Sequence, residues 1–230
     1  MCLVAMVSTA NTLAEICEHI GADWSEIVPA LRLDKRIGQY AYLSPGLGIS
    51  GGNLERDLAT VLRYSEKYKT DGGVVTSWIK NSRHRKDWAW ATFKNLGLDK
   101  KPEAQVAVLG LTYKENTHSL KNSPSLIFLK HLADRVVVAF DPAASPEATT
   151  PNILRTNTAL EAVKGADILA IMTPWPEFHL ITPEILKQNM AGRIVIDPYR
   201  MLDGMALKAQ GFIYATLGAP VKENTEPIKQ

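Results

Sequence analysis

The chain has 230 residues, 46% of them hydrophobic and 22% charged, the make-up of a globular protein long enough for one large or two small domains with a sizeable core. Its 26 basic and 24 acidic side chains leave a formal charge of +2 with no long basic block, so the electrostatic footprint of a nucleic-acid-binding protein is missing. No apolar run approaches the ~20 residues of a membrane span, and the start MCLVAMV lacks the basic flank of a signal peptide; with two unpaired thiols, a soluble cytoplasmic protein is expected.

In chain order, Val4, Val7, Ala10, Leu13, Ala14 and Cys17 follow the i, i+3, i+4 spacing of an amphipathic helix ended by Gly21. Cys2 and Cys17 both fall on it, about 22 Å apart at 1.5 Å per residue, too far for a disulfide, and are expected to be small core residues. Asp23 caps a second helix running through Leu31, residues 54–68 read as a third, and residues 74–96 as a long fourth that stops at Gly97. On that fourth helix Val75, Trp78, Ala89 and Phe93 share one face, the signature of core or dimer contact. Residues 1–98 are therefore expected to form an all-helical region.

From Lys100 the pattern changes to short β-branched runs: VAVLG at 106–110, VVVAF at 136–140, DILAIM at 167–172, RIVID at 193–197 and FIYAT at 212–216. Helix candidates lie between them, starting at Ser123-Pro124, around 158–164 and around 183–189. Strands alternating with helices predict a doubly wound, Rossmann-like parallel sheet over residues 99–220, followed by a polar tail at 221–230. The binding crevice of such a sheet lies beyond its strands' C-terminal ends, after Leu109, Phe140, Met172 and Ile196. Trp175 and Phe178 follow one of those strands and serve either as packing or as a pocket wall. The histidines at 19, 84, 118, 131 and 179 show no ligand spacing with cysteine or acid, and no metal site is expected.

The stretch PGLGISGGNLERD at 45–57 contains G-x-G-x-x-G in Gly46, Gly48 and Gly51. A dinucleotide fingerprint must follow a strand, open a helix and be followed about 20 residues on by an acid at the end of the next strand. Here the glycines lie within helical territory with no second strand after them, so the dinucleotide reading fails on context. A plain flexible turn is one alternative. The other is a ligand site, for which Asn53, Arg56 and Asp57 at a helix head supply converging polar groups.

With these residues in view, the chain resembles the UDP-glucose/GDP-mannose dehydrogenase family, whose shared segment P-G-x-G-x-G-G-S-C-F-P-K-D overlays residues 45–57 without a gap. DKRIG at 34–38 resembles D-x-R-I-G, and GLTYKENTHSLKNSPS at 110–125 resembles G-x-x-[FY]-K-x-x-T-x-D-x-R-x-S-P. TPWPEF at 173–178, DPYRMLDG at 197–204 and FIYATLG at 212–218 resemble T-x-W-x-E-F, D-G-R-x-x-L-D-G and the closing [FY]-x-Y-x-x-[IL]-G.

The resemblance implies oxidation of a nucleotide-sugar C6 alcohol to a carboxylate with two NAD molecules. It implies a fold of three parts: an NAD-binding domain, a helical dimerising region and an α/β domain for the substrate's nucleotide. The present residues match the last two, and the NAD domain is expected before Met1 or on a separate chain. By the same resemblance Asn53 stands in place of the nucleophilic cysteine, and Asp57 matches the water-activating aspartate. Arg36, Gly48, Gly51, Lys114 and Arg200 match substrate-binding positions, Arg36 reaching into a neighbouring subunit. Arg56 and Lys121 stand where the family has a lysine and an NAD-associated arginine, and Ser119 where it has aspartate. An amide is no substitute for a thiolate, and a lysine lacks the bidentate fork of an arginine, so the isolated chain is expected to be inactive and its NAD binding weak. The alternative is a non-catalytic nucleotide-sugar-binding and dimerisation module.

Overall fold

The computed structural model describes residues 1–145 and 153–221, so the expected tail at 221–230 lies, apart from Val221, outside the described residues. The chain divides into two units, Met1–Lys86 together with Thr216 onward, and Asp87–Ala215.

The first unit carries α1 (Cys2–Ile20), α2 (Trp24–Leu33), α3 (Asn53–Tyr68) and α4 (Gly73–Lys86). One apolar cluster gathers Ala10, Ala14 and Cys17 of α1 with Trp24, Ala41 and Leu43, and a second gathers Val4, Ile49, Leu58 and Val75. Trp24 buries its ring while its Nε1–H donates to the Leu43 carbonyl at 2.8 Å, as a buried indole requires. Of the two cysteines only Cys17 is buried; Cys2 is exposed, because the first residue of a helix has no preceding turn to cover it. Arg85 of α4 is fully buried, and a guanidinium in that position needs partners. It bonds Glu18 Oε1 at 2.8 Å and pairs with Glu15 Oε2 at 3.5 Å, both on α1.

The second unit opens with α5 (Trp88–Asn95), a 3₁₀ turn at Leu98–Lys100 and β1 (Val106–Leu109), then α6 (Pro124–His131) and β2 (Val137–Phe140). It continues through β3 (Ile153–Arg155), α7 (Ala159–Val163), β4 (Ile168–Ile171), a 3₁₀ turn at Pro176–Leu180, α8 (Pro183–Asn189), β5 (Ile194–Ile196), α9 (Gly204–Ala209) and β6 (Ile213–Ala215). The strand order is β3-β2-β1-β4-β5-β6 with every pair parallel, the doubly wound arrangement expected from the alternating pattern. β1, β2 and β4 are buried at every residue, which is why they read as unbroken apolar runs instead of alternating ones. The order reverses between β1 and β4, paired Val106 to Ile168, so the crevice of the fold opens beyond Leu109 and Ile171.

The helix expected over 74–96 is two helices, broken at Asp87. Aspartate is a preferred helix-start residue, and Asp87 takes the N-cap place of α5, although its side chain makes no cap bond. The apolar face divides with it: Val75 joins a cluster of the first unit, whereas Phe93 packs edge-on against Phe128 of α6, ring centroids 5.9 Å apart. Residues 88–98, expected to end the helical region, thus lie in the second unit. Two further elements, β3 and α9, have no counterpart among the expected ones; α9 is started by Asp203, whose carboxylate accepts the Ala206 N–H at 2.9 Å.

Candidate functional site

Residues 45–52 form the glycine loop, and its backbone is fastened from two helices. The Gly46 N–H donates to Oδ1 of Asn11 on α1 at 2.8 Å, and the Ile49 N–H donates to Oγ of Ser82 on α4 at 2.7 Å. Asn11 is buried, and its Nδ2 has no partner among the described residues. Gly48 has φ +71°, and a Cβ there would run into the Ser82 carbonyl. Packing against α4 therefore by itself requires the glycine. Lys86, the last residue of α4, lies along the same loop and places Nζ 2.8 Å from Glu55 Oε1 in the first turn of α3.

The loop delivers the chain to Asn53, first residue of α3 and exposed, behind Gly52, which offers no side-chain cap. A helix start without a cap leaves backbone N–H groups available to oxygen acceptors. Gly51 is buried at the turn, and one turn beyond Asn53 the exposed Asp57 pairs with its neighbour Arg56 at 3.0 Å. Gly48, Gly51, Asn53, Arg56 and Asp57 thus sit on one loop-to-helix junction. Arg36 follows α2 in an exposed turn, gripping Asp34 through two bonds of 3.0 and 2.6 Å. That pair depresses the Asp34 carboxyl below its ordinary range, chiefly through the Arg36 side chain and then through its backbone N–H.

In the second unit the groups beyond the strand ends converge on Asp141, directly after β2. Its Oδ2 accepts the N–H groups of Leu111 (2.6 Å) and Thr112 (2.9 Å), the Thr112 hydroxyl (3.1 Å) and Trp175 Nε1–H (3.3 Å). Its Oδ1 accepts from Ala143 N (2.8 Å) and Ala144 N (2.7 Å). Burial pushes the Asp141 pKa up, but the N–H groups of Leu111, Thr112, Ala143 and Ala144 together outweigh it and hold the carboxyl below its ordinary value. Asp141 is not among the residues singled out from the sequence, although an acid closing the second strand of a doubly wound sheet is a readable signal.

That acid is the group that would hold the ribose of a dinucleotide, and here its lone pairs are engaged by the protein's own loops. The glycine loop of the first unit follows no strand among the described residues. Neither place fits a dinucleotide cradle.

Lys114 and Lys121 lie on the loop between β1 and α6, both exposed, with the Lys114 ammonium 5.8 Å from the Tyr113 ring centroid. Arg200 follows β5, exposed and at φ +54°, a left-handed conformation that an arginine adopts at a cost of about 1–2 kcal/mol. Its strand is two places from β1 in the sheet. Trp175 and Phe178 are both buried: Phe178 packs edge-on against Phe140 at 6.2 Å, and Trp175 donates to Asp141, so both serve packing. Asp197 follows β5 fully buried, accepting Leu202 N–H and the Tyr214 hydroxyl, each at 2.9 Å, and its pKa is raised by that burial. Among the described residues no three His, Cys, Asp or Glu side chains are grouped to hold a metal, and no helix is long and apolar enough to cross a membrane.

A doubly wound parallel domain with a fastened loop at its switch point, joined in sequence to a helical unit with a glycine loop, defines a protein of the doubly wound α/β class. Two family profiles match: the UDP-glucose/GDP-mannose dehydrogenase family's central domain over residues 1–83 and its UDP binding domain over residues 107–204. The chain belongs to the UDP-glucose/GDP-mannose dehydrogenase family. It is 29% identical over 225 residues to the UDP-glucose 6-dehydrogenase of Rickettsia prowazekii, covering 95% of this chain and 52% of that one. It is also 28% identical to UDP-glucose 6-dehydrogenase TuaD of Bacillus subtilis, covering 98% and 50%. Among solved structures, UDP-D-ManNAc dehydrogenase from Pyrococcus horikoshii aligns with a TM-score of 0.75 at 26% identity, over 95% of this chain and 50% of that one. A dehydrogenase of NDP-N-acetyl-D-galactosaminuronic acid from Methanosarcina mazei shares the fold, with a TM-score of 0.82 at 17% identity over 97% and 50%. The chain spans about half the length of the curated relatives it matches.

Proposed function

We propose that this chain binds a nucleotide sugar in the manner of the nucleotide-sugar 6-dehydrogenases and that, by itself, it does not carry the sugar alcohol through to the acid. The observation that carries this reading is Asn53: the first residue of α3, exposed, at the position that motif resemblance gives to the nucleophilic cysteine. Oxidising an aldehyde to an acid through an enzyme-bound thioester needs a thiolate to add to the carbonyl carbon, and a neutral carboxamide offers no such electron pair. Neither cysteine is an evident substitute, since Cys17 is buried and Cys2 heads α1. In this reading Lys114 and Arg200 contact the nucleotide sugar, Arg36 serves a neighbouring copy's site, and Asp57 orients water once released from Arg56. NAD is held chiefly by another part of the enzyme in this reading, with Arg56 and Lys121 adding at most weak contacts.

The second reading, a non-catalytic nucleotide-sugar-binding and dimerisation module, is favoured by α1, which exposes Leu3, Met6, Leu13, Ile16 and Ile20 along its length, an apolar stripe suited to a second copy. Incubating the purified chain with NAD and either UDP-glucose or GDP-mannose, with calorimetry on the same sugars, tests the proposal. Binding without NADH formation is expected. Formation of the sugar acid by the chain alone, read by mass spectrometry, refutes the missing-nucleophile argument. NADH formation with only aldehyde refutes the expected inactivity alone, and no affinity at about millimolar ligand, weaker than roughly −4 kcal/mol, refutes nucleotide-sugar binding.

A further inference from the structure

We propose that Asp141 is a positioning residue that holds residues 110–114 in the shape that presents Lys114 to the ligand; this rests on reading the second unit as the nucleotide-sugar-binding half. Residues 110–114 leave β1 at the point where the strand order reverses, so their backbone path decides where Lys114 stands. A loop of this kind suffers an entropic penalty on binding unless it is already ordered. Three ties order it. The Asp141 carboxylate takes the N–H groups of two consecutive loop residues, Leu111 and Thr112, on a single oxygen. The Thr173 hydroxyl, at the end of β4, donates to the Thr112 carbonyl at 2.6 Å. Ser123 and Ser125, at the start of α6, donate to the carbonyls of Leu111 (2.7 Å) and Gly110 (2.8 Å).

Asp141 differs from the other ties in reach. Its second oxygen organises the loop after β2 through Ala143 and Ala144, and His118, further along the β1–α6 loop, donates Nδ1–H to the Ala143 carbonyl at 2.7 Å. The carboxylate therefore grips the loop that carries Lys114 at its start directly and near its middle through the Ala143 backbone. Trp175, donating from beyond β4, closes the set, so one side chain joins the ends of β1, β2 and β4. An isosteric amide cannot replace it, because a carboxamide at this position would turn an NH₂ group toward N–H donors on one side.

Asp141→Asn in the full chain tests this through two readouts. Amide hydrogen exchange at Leu111 and Thr112 is expected to accelerate at least about tenfold more than at Leu169 in the middle of β4, because local release of a loop outruns global unfolding. Calorimetric affinity for UDP-glucose or GDP-mannose is expected to fall about tenfold. Exchange at Leu111 and Thr112 that merely tracks Leu169 overturns the proposal, and so does a folded variant that binds as tightly as the wild type. Thr112→Val, which removes only the hydroxyl bond to Asp141, serves if the first variant does not fold. It should speed Leu111 exchange by about threefold, and no change there counts against the idea. A wild-type chain that binds neither sugar nucleotide overturns the ligand half of the claim, while the exchange comparison still decides whether Asp141 orders the loop.

Discussion

Replacing Gly48 with alanine should unsettle the loop that leads to Asn53, and the size of the effect follows from three separate penalties. The residue sits at φ +71°, where a Cβ costs about 1–2 kcal/mol. The added methyl would run into the Ser82 backbone carbonyl, which cannot swing aside as a side chain can, and forced overpacking of that kind costs about 1–3 kcal/mol. Moving the loop away to relieve it breaks the Ile49 N–H bond to Ser82 Oγ, losing a further ~0.5–1.5 kcal/mol. The expected loss is roughly 3–6 kcal/mol, with part of it recovered if the loop detaches instead of straining. Gly46 of the same motif is the internal control: a Cβ there meets nothing within 4 Å, and Gly46→Ala should change stability by no more than about 1 kcal/mol in either direction. Urea unfolding of both variants, with amide exchange at Ile49 reporting the loop itself, measures the difference. Equal effects at the two glycines would refute the packing argument and return the motif to a ligand-driven explanation.

The thiols provide a second check: in the folded chain Cys2 should react promptly with Ellman's reagent and Cys17 only on unfolding, because burial first, and then the charges of Asp23 and Glu18, push the Cys17 thiol up. Prompt labelling of both cysteines would refute that placement. Tyr214→Phe removes the hydroxyl that reaches Asp197 at 2.9 Å and should destabilise the second unit by about 1–2 kcal/mol at neutral pH. For the sign, burial already raises the Asp197 pKa, so folding is penalised as pH climbs from the ordinary carboxyl range through the folded value, where the group must ionise in the interior. Losing a donor raises that value further, so the variant's deficit should shrink as pH falls through the two folded values, both of which lie above the ordinary carboxyl range. A deficit independent of pH in urea titrations would show that the hydroxyl does not favour the ionised form.

What could be read from the sequence was whatever is local. The runs VAVL, VVAF and ILAI announce buried parallel strands because each is covered on both faces, whereas β3 is only ILR, partly exposed, and carries no period of its own. α6 and α8 are marked by Ser-Pro and Thr-Pro at their starts, while α9 begins on glycine and runs for six residues, too short for a pattern. The break at Asp87 is hidden because it depends on which unit Phe93 packs in. For the site, the Asn53 junction is legible since its residues are contiguous. The side chains that fasten it are not: Asn11 lies 35 positions from Gly46 and Ser82 lies 33 from Ile49. Asp141 is 30 and 29 positions from the two amides it holds, and a tie of that span leaves no mark in a sequence window.

One local signal is present and still ambiguous. β2 and β5 both run into Asp-Pro, at Asp141-Pro142 and Asp197-Pro198, and both aspartates accept the N–H two residues on, from Ala143 at 2.8 Å and Tyr199 at 3.2 Å. Identical dipeptides at the ends of two strands of one sheet nonetheless shift their carboxyls in opposite directions, because each weighs burial against donors separately. At Asp141 four backbone N–H groups prevail over burial and the pKa falls; at Asp197 burial prevails over Leu202, Met201, Tyr214 and Tyr199 and the pKa rises. Asp141, the member shifted toward its charged form, stands beside the switch point and orders the loop through the Leu111 and Thr112 N–H groups. Asp197 braces the turn that leads to Arg200 by accepting the Tyr199 and Leu202 N–H groups. Each aspartate thereby ties its strand end to the loop that follows, and the opposite shifts follow from how far that loop's donors offset the burial of the carboxyl.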